Sequence, residues 1–490
     1  MGKKTATPSV NNLKKWRPWH EREIPIKIHG EKTAEGVVIN ISSTPLSANL
    51  ELKYPNSIWK KYPNENKSKL IDNITYVFTS HLPFLLKGNI RLDYNTAYPQ
   101  SYSWSNQCFI RHLPAYWYLY NRKRGTRVLP MLKTLLNSRA NFGETKDIPP
   151  RFPESIDENV IIPFSFGKDS FLTYRIAKEI GLKPVLIWFN DTLEGDYEGK
   201  HKRKLYKQFS KLVDDPMYFI TNPLGSLREP GEGWFGWEMA LTSYAILTLP
   251  FAYYFKSGYL LLSNEKSANY FFYDEEGRRI TPDYEQSAQA TEEISLLMQA
   301  LSEGEVYTST FLQGLEEIAI ISILKNRYYK DTFKYLMSCW AEVEEAKNKR
   351  WCGNCSKCAR IYAYLAAMGI NPKNEAGFKD NMFEASKVML FNVFEHKASG
   401  TGWDAFGLNR DEQSLAFYIC YLRGVREPLI VKFSKTPLFK EVRRNYKAMV
   451  EEFFSLHEES TTPPQWKARL AKILKTSLNE VRRELLSLDV

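Results

Sequence analysis

Val160-Ile161-Ile162-Pro163-Phe164-Ser165-Phe166-Gly167-Lys168-Asp169-Ser170-Phe171-Leu172-Thr173 is a short apolar run that breaks into small and polar residues and then turns helical. A buried strand followed by such a turn and a helix makes an anion trap. The first N–H groups of the helix lack partners within it, and the dipole places positive charge at that end. Ser165 and Ser170 add hydroxyl donors, Lys168 adds a cation, and Gly167 lets the backbone approach a ligand closely. The spacing is not that of the Walker loop, which needs Gly-x-x-x-x-Gly-Lys-Ser/Thr.

Further along, Cys352-Gly353-Asn354-Cys355-Ser356-Lys357-Cys358 places three thiols at intervals of three, and Cys339 lies upstream in Leu336-Met337-Ser338-Cys339-Trp340. Thiols so spaced can wrap one tetrahedral ion, with Gly353 permitting the knuckle and turn amides directed at the sulfurs. Zinc is the natural occupant, although four thiolates would also hold an iron–sulfur cluster. Cys108 and Cys420 stand alone and read as buried small hydrophobes. No secretory signal opens the sequence, which favours a metal over disulfides and a cytoplasmic location.

Around the turn the text alternates. Residues 160–164, 184–190, 217–221 and 259–262 read as strands, and 169–180, ended by Gly181, and 201–212 read as helices. Short apolar strands separated by helices predict an α/β fold with a parallel sheet flanked by helices. Ligands in such sheets bind beyond the carboxyl ends of the strands. Asn190 and Asp191, Asn222, and the run Ser263-Asn264-Glu265-Lys266-Ser267-Ala268-Asn269 therefore join the Ser165 turn as pocket candidates.

Outside this region, residues 1–20 are polar and basic and predict a loose end. Residues 24–53 carry β-branched alternation, as in Gly36-Val37-Val38-Ile39-Asn40-Ile41, which predicts strands of a small amino-terminal α+β domain. The aromatic run Tyr116-Trp117-Tyr118-Leu119-Tyr120 precedes a helical stretch reaching Leu136, and Ile148-Pro149-Pro150-Arg151-Phe152-Pro153 reads as a linker. Residues 434–456 and 465–488 have helical apolar spacing, separated by Thr461-Thr462-Pro463-Pro464. The expected division is 1–150, an α+β amino-terminal domain; 151–371, carrying the turn and the thiols; and 372–490, a helical extension.

The Ser165 turn resembles the Ser-Gly-Gly-x-Asp-Ser loop of the PP-loop ATP pyrophosphatases, with Phe166 where that family usually has glycine. A side chain there must point away from the phosphates. The order of the motifs, the turn first and Cys-x12-Cys-x2-Cys-x2-Cys second, is similar to that of 7-cyano-7-deazaguanine synthases over roughly residues 158–370. The Ser263–Asn269 run, the long amino-terminal extension, and Trp351-Cys352-Gly353 with Lys357, Tyr362 and Leu365 also resemble the UDP-N-acetylmuramoyl-L-alanyl-L-glutamate epimerases. In that comparison Pro282-Asp283-Tyr284-Glu285-Gln286-Ser287 corresponds to a second substrate loop. Gly402-Trp403-Asp404-Ala405-Phe406-Gly407 with Glu412 would close the pocket.

These resemblances imply an ATP-consuming, AMP-forming enzyme of the C–N ligase type that adenylates a carboxylate or amide, using ATP, Mg2+ and Zn2+. They imply that Ser165, Phe166, Gly167, Lys168, Asp169, Ser170 and Asn190 bind the nucleotide. Lys168, Asp169 and Glu265 would serve the chemistry, with Asp169 either positioning magnesium or capping the helix, and Cys339, Cys352, Cys355 and Cys358 would hold zinc. The acceptor would be a carboxylate-bearing small molecule or a protein. Relatives of the deazaguanine synthase in antiviral defence attach a deazaguanine base to a protein partner. A tRNA-modifying enzyme and a non-catalytic nucleotide-binding protein are the alternatives, the second favoured by Phe166.

Composition sets the outer bounds. The chain has 490 residues, 43% hydrophobic and 14% aromatic, enough to fold two or three domains with their own cores. Its formal charge of +11 suits anionic partners, while 56 interspersed acidic residues argue for solvated faces rather than a nucleic-acid stripe. No apolar run approaches the ~18 residues that mark a membrane span. Residues 239–255, which include Thr242, Ser243, Thr248 and Pro250, read as a buried helix. The oligomeric state is left open by residue types.

Overall fold

Two sheets organise the chain. The first contains β1 (Ile24–Lys32), β2 (Gly36–Ser42), β3 (Ser47–Lys53), β4 (Ile90–Tyr94) and β5 (Arg139–Asn141), in the order β3-β2-β1-β4-β5. β1, β2 and β3 pair antiparallel, whereas β4 and β5 run parallel to β1 and to each other. The second contains β6 (Ile156–Pro163), β7 (Lys183–Asp191), β8 (Met217–Asn222) and β9 (Ser257–Leu262). A short hairpin of β10 (Phe272–Tyr273) and β11 (Arg279–Ile280) follows, and β12 (Tyr307–Thr310) completes the central sheet. The computed structural model describes residues 23–44, 46–86, 89–121, 128–143, 149–191, 196–227, 236–339, 344–394, 410–458 and 461–489. The readings of residues 1–20, Trp340 and residues 402–407 fall outside these.

The central sheet is parallel throughout and runs β12-β9-β6-β7-β8. Chain order goes outward from β6 to one edge and then restarts at β9 on its other side, so β6 and β9 flank the switch point where such sheets bind ligands. Alternation along the strands assigns side chains to two cores. Val160, Ile162, Leu186, Trp188 and Leu261 face one core, shared with the carboxyl-terminal helices. Ile161, Val185, Ile187, Leu260 and Leu262 face the other, shared with the amino-terminal sheet. The amino-terminal and carboxyl-terminal segments thus cover opposite faces of one sheet.

Helix Asn64–Thr79 packs between β1 and helix Ala240–Phe255, and Trp104 Nε1 donates to Thr242 Oγ1 at 2.9 Å, fastening the first sheet to the second. Helix Ala240–Phe255 is the buried segment that the polar residues in 239–255 predict. Among the described residues no helix is long and apolar enough to cross a membrane. On the other face, helix Glu317–Tyr328 lies against helix Lys168–Glu179 and the late helix Pro464–Leu486. The second central helix spans Tyr197–Phe209, starting earlier than its apolar spacing suggests. The aromatic run at 116–120 itself ends a helix, Tyr102–Tyr116 passing into a π-helical turn at Trp117–Asn121, and the helical stretch expected after it, reaching Leu136, is present. Helix Val128–Asn137 follows.

At the end of β6 the backbone reverses through Phe166, at φ 62°, a left-handed conformation in which a side chain is strained. Burial stabilises it. The ring is fully buried against Phe164 at a centroid distance of 5.0 Å, Phe209 at 6.0 Å and Trp188 at 6.3 Å, so it points into the core rather than toward a ligand. Phe166→Ala is expected to destabilise the protein by about 3–5 kcal/mol, read as a fall in the urea midpoint. An unchanged midpoint would show that the ring does not anchor the turn.

Candidate functional site

Pro163 closes β6, and the turn that follows is held by its own side chains. Gly167 N–H donates to Ser165 Oγ at 3.4 Å, Ser170 Oγ donates to the Gly167 carbonyl at 3.1 Å, and the two serine hydroxyls stand 3.5 Å apart. A Cβ on Gly167 would lie 3.2 Å from Ser165 Oγ, tighter than most such contacts, so glycine here serves proximity. Gly167 is the N-cap of helix Lys168–Glu179, which places Asp169 in the first turn and corrects the reading of Asp169 as the cap. Below the turn, Met337 N–H donates to the Phe166 carbonyl at 2.8 Å and Lys168 N–H to Ser338 Oγ at 3.3 Å.

A cavity of about 460 Å³ opens at this turn. Ser165, Gly167 and Asp169 line one side, with Asn190 and Asp191 from the end of β7. The amino-terminal segment contributes His112 and Tyr116, and the segment after β11 contributes Pro282, Asp283, Glu285 and Gln286. Cys352, Cys355, Ser356, Lys357 and Arg360 line the side nearest the thiols. Burial lowers His112 to about 3, keeping it neutral, and raises Asp283 to about 7 against the opposing pull of Lys357. Glu285 is pushed up by burial to about 8, even though it accepts from Leu241 N and Thr242 N at the start of helix Ala240–Phe255.

Lys168 departs from expectation. Its side chain is 2% exposed, does not line the cavity, and turns inward to Asp169 at 2.5 Å and Glu317 at 3.2 Å. Burial alone would lower its pKa, but Asp169, Glu317 and Glu265 outweigh burial and raise it, so the ammonium stays charged. Burial likewise works to raise Glu317, and Arg360 at 2.7 Å with Lys168 and Lys357 holds it below the ordinary range.

Glu265 joins this inner group rather than the cavity. It caps the short helix Lys266–Asn269, accepting from Ser267 N at 2.8 Å and from the Ser267 hydroxyl. Burial and the neighbouring Glu317 carry its pKa up to about 8. Asn222 is buried and donates to Asp191 Oδ1 at 2.6 Å, positioning a cavity residue without lining the cavity itself. Glu412, expected to close the pocket, is instead buried, accepting from Ile318 N at 2.7 Å and Tyr364 Oη at 2.9 Å.

The four thiols converge. Cys339, Cys352, Cys355 and Cys358 have sulfurs all within 4.8 Å of one another. Backbone N–H groups of Cys352, Asn354 and Cys358 point at sulfurs of Cys339, Cys352 and Cys355 at 3.3–3.4 Å. Gly353 is left-handed at φ 69°, and a Cβ there would meet Asp380 Oδ2 at 2.1 Å. This donor set fits a tetrahedral metal. A second acidic group, Glu316, Glu452 and His457, has its centre taken by the Lys266 ammonium, 2.8 Å from Glu316 and 3.2 Å from the other two. Cys108 and Cys420 are buried singly, as their isolation predicts.

Several wall residues escape sequence reasoning. His112 and Tyr116 are one helical turn apart, a signal that any buried helix face also gives. Glu317 and Arg360 acquire meaning only when the fold brings them to Lys168. No protein-family model matches the chain, and no curated protein matches it.

Because Lys168 balances buried carboxylates, Lys168→Met is expected to destabilise the fold by about 3–5 kcal/mol, measured by chemical denaturation. Adding Glu317→Gln should recover part of that loss. Unchanged stability in the single variant would place the ammonium in the cavity instead.

Proposed function

We infer that the protein is an ATP-consuming, AMP-forming enzyme of the PP-loop ATP pyrophosphatase kind, activating a carboxylate or amide as its adenylate. The observation that carries this reading is the Ser165–Ser170 turn, which opens a helix at the switch point of a parallel sheet and borders a cavity with room for a nucleotide. A carboxylate is a poor electrophile because it would have to expel oxide, whereas an acyl-adenylate expels AMP.

The amides of the Gly167–Ser170 turn and the hydroxyl of Ser165 bind the β and γ phosphates and retain the departing pyrophosphate, while Ser170, 2% exposed and donating to the Gly167 carbonyl, braces the turn. Phe166 contributes only backbone, its ring anchoring the turn from behind. Asp169, on the cavity side, is the carboxylate for magnesium, which when bound offsets phosphate charge. Asn190 faces the nucleotide from the end of β7. Lys168 and Glu265 support the turn from inside, Lys168 by neutralising Asp169. Cys339, Cys352, Cys355 and Cys358 would hold zinc, whose chemistry here is structural cross-linking.

The acceptor belongs to the carboxylic acids, of the deazaguanine synthase type and free or joined to a protein partner as in antiviral defence. A muramyl-peptide glutamate epimerase-like enzyme is the second reading. The specific support for it is that four residues of the 282–287 segment line the cavity. Both readings set the protein in the cytoplasm.

Incubation of the protein with labelled ATP and a panel holding carboxy-deazaguanine, muramyl peptides and candidate protein partners should yield AMP and pyrophosphate, resolved by chromatography and mass spectrometry. ADP and phosphate as products would refute adenylation. Cys355→Ala should lower bound zinc, measured by elemental analysis, together with the thermal midpoint, because structural zinc binding is coupled to folding. Loss of neither would remove the metal from this account.

A further inference from the structure

Several helices begin at the cavity wall. Besides helix Lys168–Glu179, helix Ser356–Ala367 starts there, with Cys355 as its N-cap and Cys355, Ser356 and Lys357 all lining the cavity. Of its first N–H groups, that of Cys358 donates to the N-cap sulfur of Cys355, and those of Ser356 and Lys357 have no partner within the helix. Ser356 is 1% exposed, and its Oγ has no hydrogen-bond partner. A buried hydroxyl left unpaired costs about 1–3 kcal/mol, so its retention against a cavity points to a bound group that satisfies it.

Lys357 adds the charge. It is half-buried, and no hydrogen bond or ion pair among the described residues engages its ammonium. The other wall cations are committed, Lys202 to Glu198 and Arg360 to Glu317. Lys357 lines the same cavity as Asp283, and its charge opposes the effect of burial on both Asp283 and Glu317. Asp283, lining the same cavity, tolerates a singly charged anion beside Lys357 better than a multiply charged phosphate.

We propose that the amino end of helix Ser356–Ala367, with Ser356 Oγ and Lys357 Nζ, is a second anion subsite that binds the carboxylate of the acid being activated, opposite the triphosphate tail held by the Ser165 turn. The proposal rests on the adenylation reading above. In the step it serves, a carboxylate oxygen forms a bond to the α-phosphorus while the bond from that phosphorus to the bridging oxygen breaks. Pyrophosphate departs with the electron pair and stays at the Ser165 turn, and no proton is transferred. Two anions would repel each other in one cavity, and Lys357 lowers that repulsion as they meet.

The test is steady-state AMP formation from labelled ATP with carboxy-deazaguanine or a muramyl peptide, alongside binding of a non-hydrolysable ATP analogue. Lys357→Met should raise the KM for the acid by about tenfold to a hundredfold, the loss of one charge-assisted hydrogen bond. Ser356→Ala should raise it by less, and Lys357→Arg should restore part of the Lys357→Met loss. Analogue affinity within about twofold of the parent, and unchanged metal content and thermal midpoint, would separate this role from a structural one. An equal loss of analogue affinity would assign Lys357 to a phosphate and overturn the proposal, as would an unchanged KM for the acid in an active enzyme. A parent protein that makes no AMP with either acid would sink the adenylation reading and this subsite together.

Discussion

One backbone hydrogen bond joins the two halves of the site, from the Met337 amide to the Phe166 carbonyl at 2.8 Å. It forms because the left-handed Phe166 turns that carbonyl away from the sheet ladder and toward the segment leading into the thiols. The next residue, Ser338, accepts from the first amide of the following helix, and the one after it, Cys339, is the first of the four converging sulfurs. Turn, helix start and cysteine knuckle are therefore a single mechanical unit. Glycine at position 166 would relax the φ angle but forfeit the buried ring that holds this unit in place.

Electrostatics divide the same unit into an inside and an outside. Inside, Lys168, Glu317 and Glu265 form a buried network that Asp169 and Arg360 link to the cavity wall, and burial makes it intolerant of losing one partner. Outside, the cavity presents Ser165, the turn amides and Lys357. A charge that looks like a phosphate ligand in the linear text thus belongs to the scaffold, and a lysine of the cysteine knuckle faces the open space.

The central sheet is legible in the sequence because Val160-Ile161-Ile162 and its counterparts are buried on both faces and must be apolar throughout, and because Gly181 marks the helix end. β12 is not legible. Its Tyr307-Thr308-Ser309-Thr310 carries little hydrophobic signal, and pairing with β9 defines it. The convergence of the thiols follows from spacing alone, whereas the inward course of Lys168 depends on Glu317, distant in sequence. The amino-terminal half of the cavity wall is invisible for the same reason. His112 and Tyr116 are ordinary residues of a buried helix until Trp104 and Thr242 fix that helix against the central sheet.

The covering of the two sheet faces by opposite ends of the sequence has a temporal consequence. During synthesis the amino-terminal sheet is already available when β6 emerges, so one face can be shielded at once. The other face is covered first by helices Lys168–Glu179 and Tyr197–Phe209, whose Phe171, Tyr174 and Phe209 pack on Phe164, and its core is completed by helix Pro464–Leu486, made hundreds of residues later. Until that helix arrives, Tyr259 and Phe311 lack the Trp466 ring that packs on them at 4.6 and 5.8 Å, an interval in which exposed apolar surface favours association with a chaperone.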